Sequence, residues 1–308
     1  MINSLIDLLD RLQSEEDCRE FLEAIRWNGG SAPICPHCGS QSKEHYKLTN
    51  GGQYRGLHKC KYCNKRFTVT VGTMFEGSHI PLRKWFVAIY MFLAHKKGIS
   101  SMQLHKDIAV TQKTAWFMLS RIRYNLRNIK YIIYGDVTQV DETYIGGKNK
   151  NRNAGKRLKN TRGRSLKLKA PVMGMLSNGR VYTEVIPKAS KWVLQHAINT
   201  FVPKGSTVVT DGWHGYKGLH ENYEHKVVDH HRGEYVKDHY HTNSIEGFWS
   251  QLKRGIIGVY HLVSKKHLEL YCDEFACRYN TRDIEDGQRF GVFLTIANDR
   301  LRYCDLTL

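Results

Sequence analysis

The chain has 308 residues and carries 47 Lys and Arg against 29 Asp and Glu, a formal net charge of +18. A hydrophobic content of 41% with 11% aromatics excludes a disordered chain and is enough for packed cores in about two domains. The longest apolar run, Trp85 to Ala94, is ten residues, about half of a membrane span, so the excess of positive charge points to a polyanion, above all nucleic acid, although a merely soluble basic protein has the same composition.

Near the start, Asp7 and Asp10 stand where a secretory signal would carry basic residues and an apolar stretch. A cytoplasmic, nucleoid-associated location is therefore expected. Leu5, Leu8, Leu9 and Leu12, then Phe21, Leu22 and Ile25, recur at helical spacing and predict two short helices over residues 1–30, packed on the module that follows.

That module, residues 31–72, holds Cys35-Pro-His-Cys38 and Cys60-Lys-Tyr-Cys63. Two such knuckles supply four thiolates, the ligand set of one structural Zn²⁺. Gly39 and Asn64 follow the knuckles and tolerate the left-handed turns these need. Buried thiols or a disulfide pair are the alternative, disfavoured by the expected compartment. Cys18, Cys272, Cys277 and Cys304 fit no ligand spacing and are expected as free core thiols, and His37 as a surface group. Phe67 to Val71 alternates like a strand.

Residues 73–130 predict a helical DNA-binding segment. Pro81 opens a helix through about Ala94, with Trp85, Ile89, Phe92 and Leu93 on one side. Ser100 caps a short helix carrying Leu104 and Ile108, and Thr111 caps a longer one to about Arg127, with Ala115, Trp116, Leu119, Ile122 and Leu126 on its apolar face. A short helix, a tight turn and a longer helix resemble a helix-turn-helix. Gln112, Lys113 and Thr114 would then reach base edges, while Arg121, Arg123, Arg127 and Lys130 would face phosphates. A plain helical bundle has the same pattern.

Residues 131–280 change character. Val137–Ile145 reads as a strand, and 148–169 hold ten Lys or Arg and no acid, either a DNA-clamping arm or a solvated loop. Strands 171–176 and 180–186 are joined by Asn178-Gly179, a strong hairpin signal. A helix over 191–201, with Trp192, Leu194 and Ile198 among its apolar residues, short strands at 207–210 and 226–229, and helices over 244–254 and 266–280 complete the series. That order is the one found in the α/β RNase H-like fold, whose first and fourth strands lie side by side.

Such a fold would bring together Asp141 in the first strand, Asp211 at the end of the fourth and Glu246 on the next helix. Clustered carboxylates repel unless a cation compensates, and their oxygens suit Mg²⁺ or Mn²⁺, two of which can drive phosphoryl transfer. Lys253, seven positions after Glu246 on the same helical face, could hold a phosphate nearby. Glu142 would point to the other face of the sheet. His225, His230, His231, His239 and His241 lack zinc-hydrolase spacing and are expected to line a DNA path or cap loops. Trp213 and Trp249 fit either a core or a base-stacking role.

The stretches CPHCG, CKYCNKRFTVTVGTMFEGSHIPLRKW, VDETYIGGK, TDGWHGY and HTNSIEGFWSQLKRG span most of residues 33–280. In order and number they resemble the zinc-ribbon insertion-sequence transposases with an ISXO-like DDE catalytic domain. The resemblance implies metal-dependent cutting at element ends and transfer of the freed 3′-hydroxyl to target DNA. It implies double-stranded DNA partners (terminal inverted repeats and target) and a homo-oligomer, a dimer or higher, on that DNA. It makes Asp141, Asp211 and Glu246 the acidic triad and Lys253 the downstream base. Relatives can place Asn in the third role, so Asn243, one turn earlier, is the other candidate. A zinc-ribbon and helix-turn-helix DNA-binding regulator without catalysis is the competing function. Residues 281–308, a C-terminal extension, match no pattern.

Overall fold

The computed structural model describes residues 2–27, 29, 32–129, 135–159, 161, 163–229 and 233–307. Lys130, Arg162, His230 and His231 lie outside the described residues. The chain forms two compact units, Met1–Ile129 with Asp283–Leu308, and Lys130–Arg282. Among the described residues no helix is long and apolar enough to cross a membrane.

In the first unit, α1 (Leu5–Arg11) starts at Ser4, whose hydroxyl accepts from the Asp7 N–H. Helix α2 (Glu15–Arg26) starts at a capping box between Ser14 and Asp17. The ribbon that follows is an antiparallel sheet of β1 (Tyr46–Asn50), β2 (Gln53–Lys59) and β3 (Arg66–Phe67) in that order. Trp27, at the end of α2, packs edge-on against His58 and Phe67. The strand expected over Phe67–Val71 stops at Phe67. Val71 and Thr73 donate their N–H groups to the carbonyls of Thr68 and Thr70, and the Thr73 hydroxyl bonds the Thr70 carbonyl. The backbone thus closes local turns in place of a ladder, and the Thr73 hydroxyl reinforces one of them.

Helix α3 (Leu82–Ala94) begins on Glu15, whose carboxylate accepts from the N–H groups of Leu82 (2.7 Å) and Arg83 (3.4 Å). An anion at a helix N-terminus is favourable. Ser100 caps α4 (Ser101–Asp107), and Thr111 caps α5 (Gln112–Leu126). Residues 283–308 complete this unit rather than extending from it. Phe290 of α9 (Asp286–Ile296) is fully buried against Phe21, Phe86 and Tyr90. Tyr303 of α10 (Tyr303–Thr307) lies against Trp116, Phe117 and the ammonium of Lys113.

This packing corrects the expected phosphate contacts. Arg121 and Arg123 are 4% and 1% exposed. The Arg121 guanidinium donates to the carbonyls of Leu301 and Met74 (2.8 Å each), and Arg123 lies over Phe92. They tie the core together and cannot face a ligand. Arg127 stays partly exposed over Tyr124 and beside Asp299. Trp116 is only half-buried, and Cys304 is exposed, because α10 buries Leu306 alone.

The second unit is a five-stranded sheet ordered β6-β5-β4-β7-β8. Strands β4 (Val137–Gly146), β5 (Lys169–Ser177) and β6 (Arg180–Val185) are antiparallel; β7 (Thr207–Asp211) and β8 (Glu224–Val228) run parallel to β4. Asn178 (φ 49°) and Gly179 (φ 69°) make the two-residue turn between β5 and β6. One face carries α6 (Lys191–Phe201) over Val140, Met173, Met175 and Val208. The other carries α7 (Asn243–Gly255) and α8 (Leu268–Asn280) over Ile145, Val172 and Leu176. Trp192 of α6 turns outward, 73% exposed. Three antiparallel strands followed by two parallel ones, helices on both faces, is the RNase H-like arrangement.

Candidate functional site

The β4–β7 ladder ends at Gln139–Val209. Two residues further along these parallel strands lie Asp141 and Asp211, where β7 stops and β4 continues with β5 alone. A crevice at the carboxyl end of parallel strands is where open α/β sheets place their ligands.

Burial first, then the neighbouring charges of Glu142 and Asp211, push the Asp141 carboxyl up to about 7. On the α7 side, the Trp249 indole N–H donates to Asp141 Oδ2 (3.0 Å). Gly174, directly opposite Asp141 on β5, makes room for that indole: a Cβ there would lie 2.6 Å from the ring. We expect Gly174→Ala to cost about 1–3 kcal/mol, the usual range for overpacking, and to loosen Trp249 from Asp141. Urea unfolding with tryptophan emission measures both; an unchanged midpoint would show that the ring moves freely.

Asp211 Oδ1 accepts from the Trp213 N–H (3.0 Å), which fixes the turn after β7. Glu142 does point to the other face. It is buried, its Oε2 accepts from the Tyr216 hydroxyl (2.7 Å), and its Oε1 accepts from Arg164 Nη1 (3.1 Å). Arg164 thus brings the basic stretch 148–169 to the edge of the crevice and lies over the Trp213 ring. Sequence reasoning missed Trp249 as a partner of Asp141 and Arg164 as a partner of Glu142. Trp249 was findable, since it stands one turn after Glu246 and so shares its side of α7.

Helix α7 is set by Gln139 of β4, whose Oε1 accepts from the Ile245 N–H (3.2 Å). Asn243 and Glu246 are both exposed at its first turn, and Glu246 Oε1 accepts from the Thr242 hydroxyl (3.1 Å). Lys253 is exposed further along; partial burial lowers its pKa while the charge of Asp141 pulls it back up. The structure therefore brings Asp141 and Asp211 together, with Lys253 within the field of Asp141, and leaves Glu246 turned onto Thr242. His225 lies 2.9 Å from the Thr210 hydroxyl, and His241 is 3.4 Å from the Gln139 amide.

Among the described residues, the one group of three or more His, Cys, Asp or Glu side chains close enough to share a metal is Cys35, Cys38, Cys60 and Cys63, their sulfurs within 4.8 Å of one another. The Cys35–Cys63 and Cys38–Cys60 sulfurs are 3.6 and 3.7 Å apart. A tetrahedron of sulfurs about 2.3 Å from Zn²⁺ has edges of about 3.8 Å, so the set fits that ion. Gly39 (φ 73°) and Asn64 (φ 59°) make the left-handed turns that close the knuckles. His37, exposed, bonds the Arg66 carbonyl across the module (3.1 Å). The acidic crevice fits a cation differently: the Asp141 carboxyl, pushed up by burial and then by the charges of Glu142 and Asp211, would be relieved by a bound dication.

Residues 13–66 match the transposase zinc-ribbon domain, and residues 133–280 match the ISXO2-like transposase domain. An uncharacterised protein of transposable element ISH50 from Halobacterium salinarum is 32% identical over 277 residues, 86% of this chain and 90% of its own length. An uncharacterised transposase-like protein of Haemophilus influenzae is 30% identical over 107 residues, 34% of this chain and 85% of its own. The solved Mos1 transposase paired-end complex with left transposon end aligns over 70% of this chain and 80% of that one, at 10% identity and a TM-score of 0.26. Matched along both of its parts and over most of its length by these sequences, the chain belongs to the family of transposases that join a zinc ribbon to an ISXO2-like transposase domain.

Proposed function

We propose that the protein cuts DNA at the ends of an insertion sequence and joins the freed 3′-hydroxyl to target DNA. The observation that carries this reading is the placement of Asp141 and Asp211 at the end of the β4–β7 ladder. In the first step water displaces the 3′-oxygen at the element end. In the second the freed 3′-hydroxyl displaces a 3′-oxygen of the target, so phosphodiester bonds are exchanged without an external energy source. Asp141, Asp211 and a third group on α7, Glu246 before Asn243, would hold Mg²⁺ or Mn²⁺. When bound, these ions activate the attacking oxygen and stabilise the leaving one. Lys253 holds a phosphate beside Asp141, and Trp249 fixes the Asp141 carboxylate. The four cysteines hold one structural Zn²⁺, and the α4–α5 segment reads double-stranded DNA through Gln112, Lys113 and Thr114.

Incubating the protein with DNA carrying the element's ends, in Mg²⁺ and in EDTA, tests this. Cleavage in Mg²⁺ alone supports it. Tight binding with no cleavage in either would leave the competing function, a DNA-binding regulator.

The basic stretch 148–169 is expected to grip phosphates. Each such contact releases counterions and contributes about 0.9 to the slope of log K against log salt. Lys156→Gln with Lys159→Gln should lower that slope by about 2, read by fluorescence anisotropy over a salt series. An unchanged slope would remove these two residues from the interface.

A further inference from the structure

A cleft of about 470 Å³ opens in the second unit between the end of β4 and the residues after α7. Lys148, Arg152, Lys167 and Lys265 line it, and no acidic residue does. Part of its wall is the turn at His261 and Leu262.

That turn is costly to build. Helix α7 runs into a π-helical turn, Ile256–Tyr260, which leaves Ile257 67% exposed. His261 then takes φ 60° and ψ −51°, and the Leu262 N–H bonds the Tyr260 carbonyl at 2.6 Å. This is the rare positive-φ γ-turn, strained for a residue with a Cβ. The His261 ring Nδ1–H donates to the Ile257 carbonyl (3.2 Å) and steadies it. Buried Val263 and Leu268 anchor the chain beyond it. The outcome is a leucine, 70% exposed, held out at the rim of a cationic cleft. Strain of this kind persists where the surroundings impose it, and it gathers at functional sites.

The surroundings select the occupant. Four cations with no acid call for a polyanion. A second copy of this chain would bring a net charge of +18 against the same rim. A rigid aliphatic side chain ringed by phosphate-binding groups suits the base stack, where Leu and Ile enter as wedges between base steps. Ile145 lines the cleft and shares a face of β4 with Asp141, four residues away. At about 3.3 Å per residue that is about 13 Å along the strand, or about four nucleotides at about 3.4 Å each.

We infer that this cleft is a DNA-distorting site: Lys148, Arg152, Lys167 and Lys265 hold the backbone while Leu262 enters the base stack about four nucleotides from the cut. The inference rests on the DNA-cutting reading above and adds to it a second point of contact.

The test uses the full chain and end-bearing duplexes with 2-aminopurine placed singly at successive positions on either side of the cut. Wild-type binding should raise the emission at one or two positions near the fourth nucleotide. Leu262→Ala should lose that rise while still binding the ends, and Leu262→Met should restore it. Lys148→Gln with Lys265→Gln should lower the salt slope by about 2. A rise that persists in Leu262→Ala overturns the wedge. So does a change in the sedimentation of the DNA-free protein on Leu262→Ala with the rise intact, which would make the patch an interface between copies. If the wild type neither binds nor cuts the ends, the DNA-cutting reading fails together with this one. If it binds and cuts normally but the emission does not depend on Leu262, the wedge fails alone.

Discussion

Asp141→Asn and Asp211→Asn should each abolish strand cleavage and leave binding of the element ends intact. Either change removes a charged oxygen that the proposed dication would bind, at the end of the β4–β7 ladder, where burial and the neighbouring acids oppose the Asp141 carboxylate. A loss of about 10³-fold or more is expected, about 4 kcal/mol of transition-state stabilisation. Asp141→Asn should also fold at least as well as the parent. Asp141 ionises only near pH 7 because burial and like charge oppose its carboxylate, so at neutral pH the charge costs stability and an amide does not. An Asn oxygen can still accept from Trp249. Melting temperature without divalent cations should therefore rise, or hold, while cleavage vanishes. A fall in both would mean a structural role. On α7, Glu246→Gln is expected to be inactive and Asn243→Ala slowed, because a carboxylate is the stronger ligand for a hard dication. The reverse result would assign the third position to Asn243.

Cys35→Ser or Cys60→Ser should release one zinc per chain and unfold the ribbon. Structural Zn²⁺ contributes about 10–16 kcal/mol of apparent binding energy to such modules, as much as the whole stability of a typical domain, about 5–15 kcal/mol. The ribbon has three short strands and little apolar core of its own. Trp27 reports the event, because its indole packs against His58 and Phe67 of the ribbon sheet. Its emission should shift to the red on chelation or substitution, in step with zinc released to a colorimetric chelator. Zinc-free protein with unaltered emission would show that the sheet stands without metal.

Local chemistry made much of this fold legible. Ser100 and Thr111 cap the helices they were expected to cap, and Asn178-Gly179 turns the hairpin it was expected to turn. In each case the side chain or backbone preference acts within four residues. The misreadings involve distant partners or competing bonds. Arg121 looks like a surface cation until Leu301, 180 positions away, offers it a carbonyl. Phe67–Val71 alternates like a strand, but only Phe67 pairs with β2, at His58, and beyond it the backbone turns on itself through the carbonyls of Thr68 and Thr70. At the candidate site Asp141 and Asp211 were readable because strand order aligns them. The indole that fixes Asp141 was readable only as far as its side of α7, and the arginine that answers Glu142 depends on loop placement that spacing does not encode.

The return of residues 283–308 to the first unit bears on how the protein is made. The first unit is interrupted by the whole of the second, about 150 residues, which a ribosome adding about 5–20 residues per second needs about 8–30 s to synthesise. During that interval Phe21, Phe86 and Tyr90 wait without Phe290, and Arg121 has the Met74 carbonyl but not that of Leu301. The second unit has all its strands and can close first. A nascent chain released early therefore carries the RNase H-like unit but an unfinished helical core, so the unit that begins first is the last to be completed.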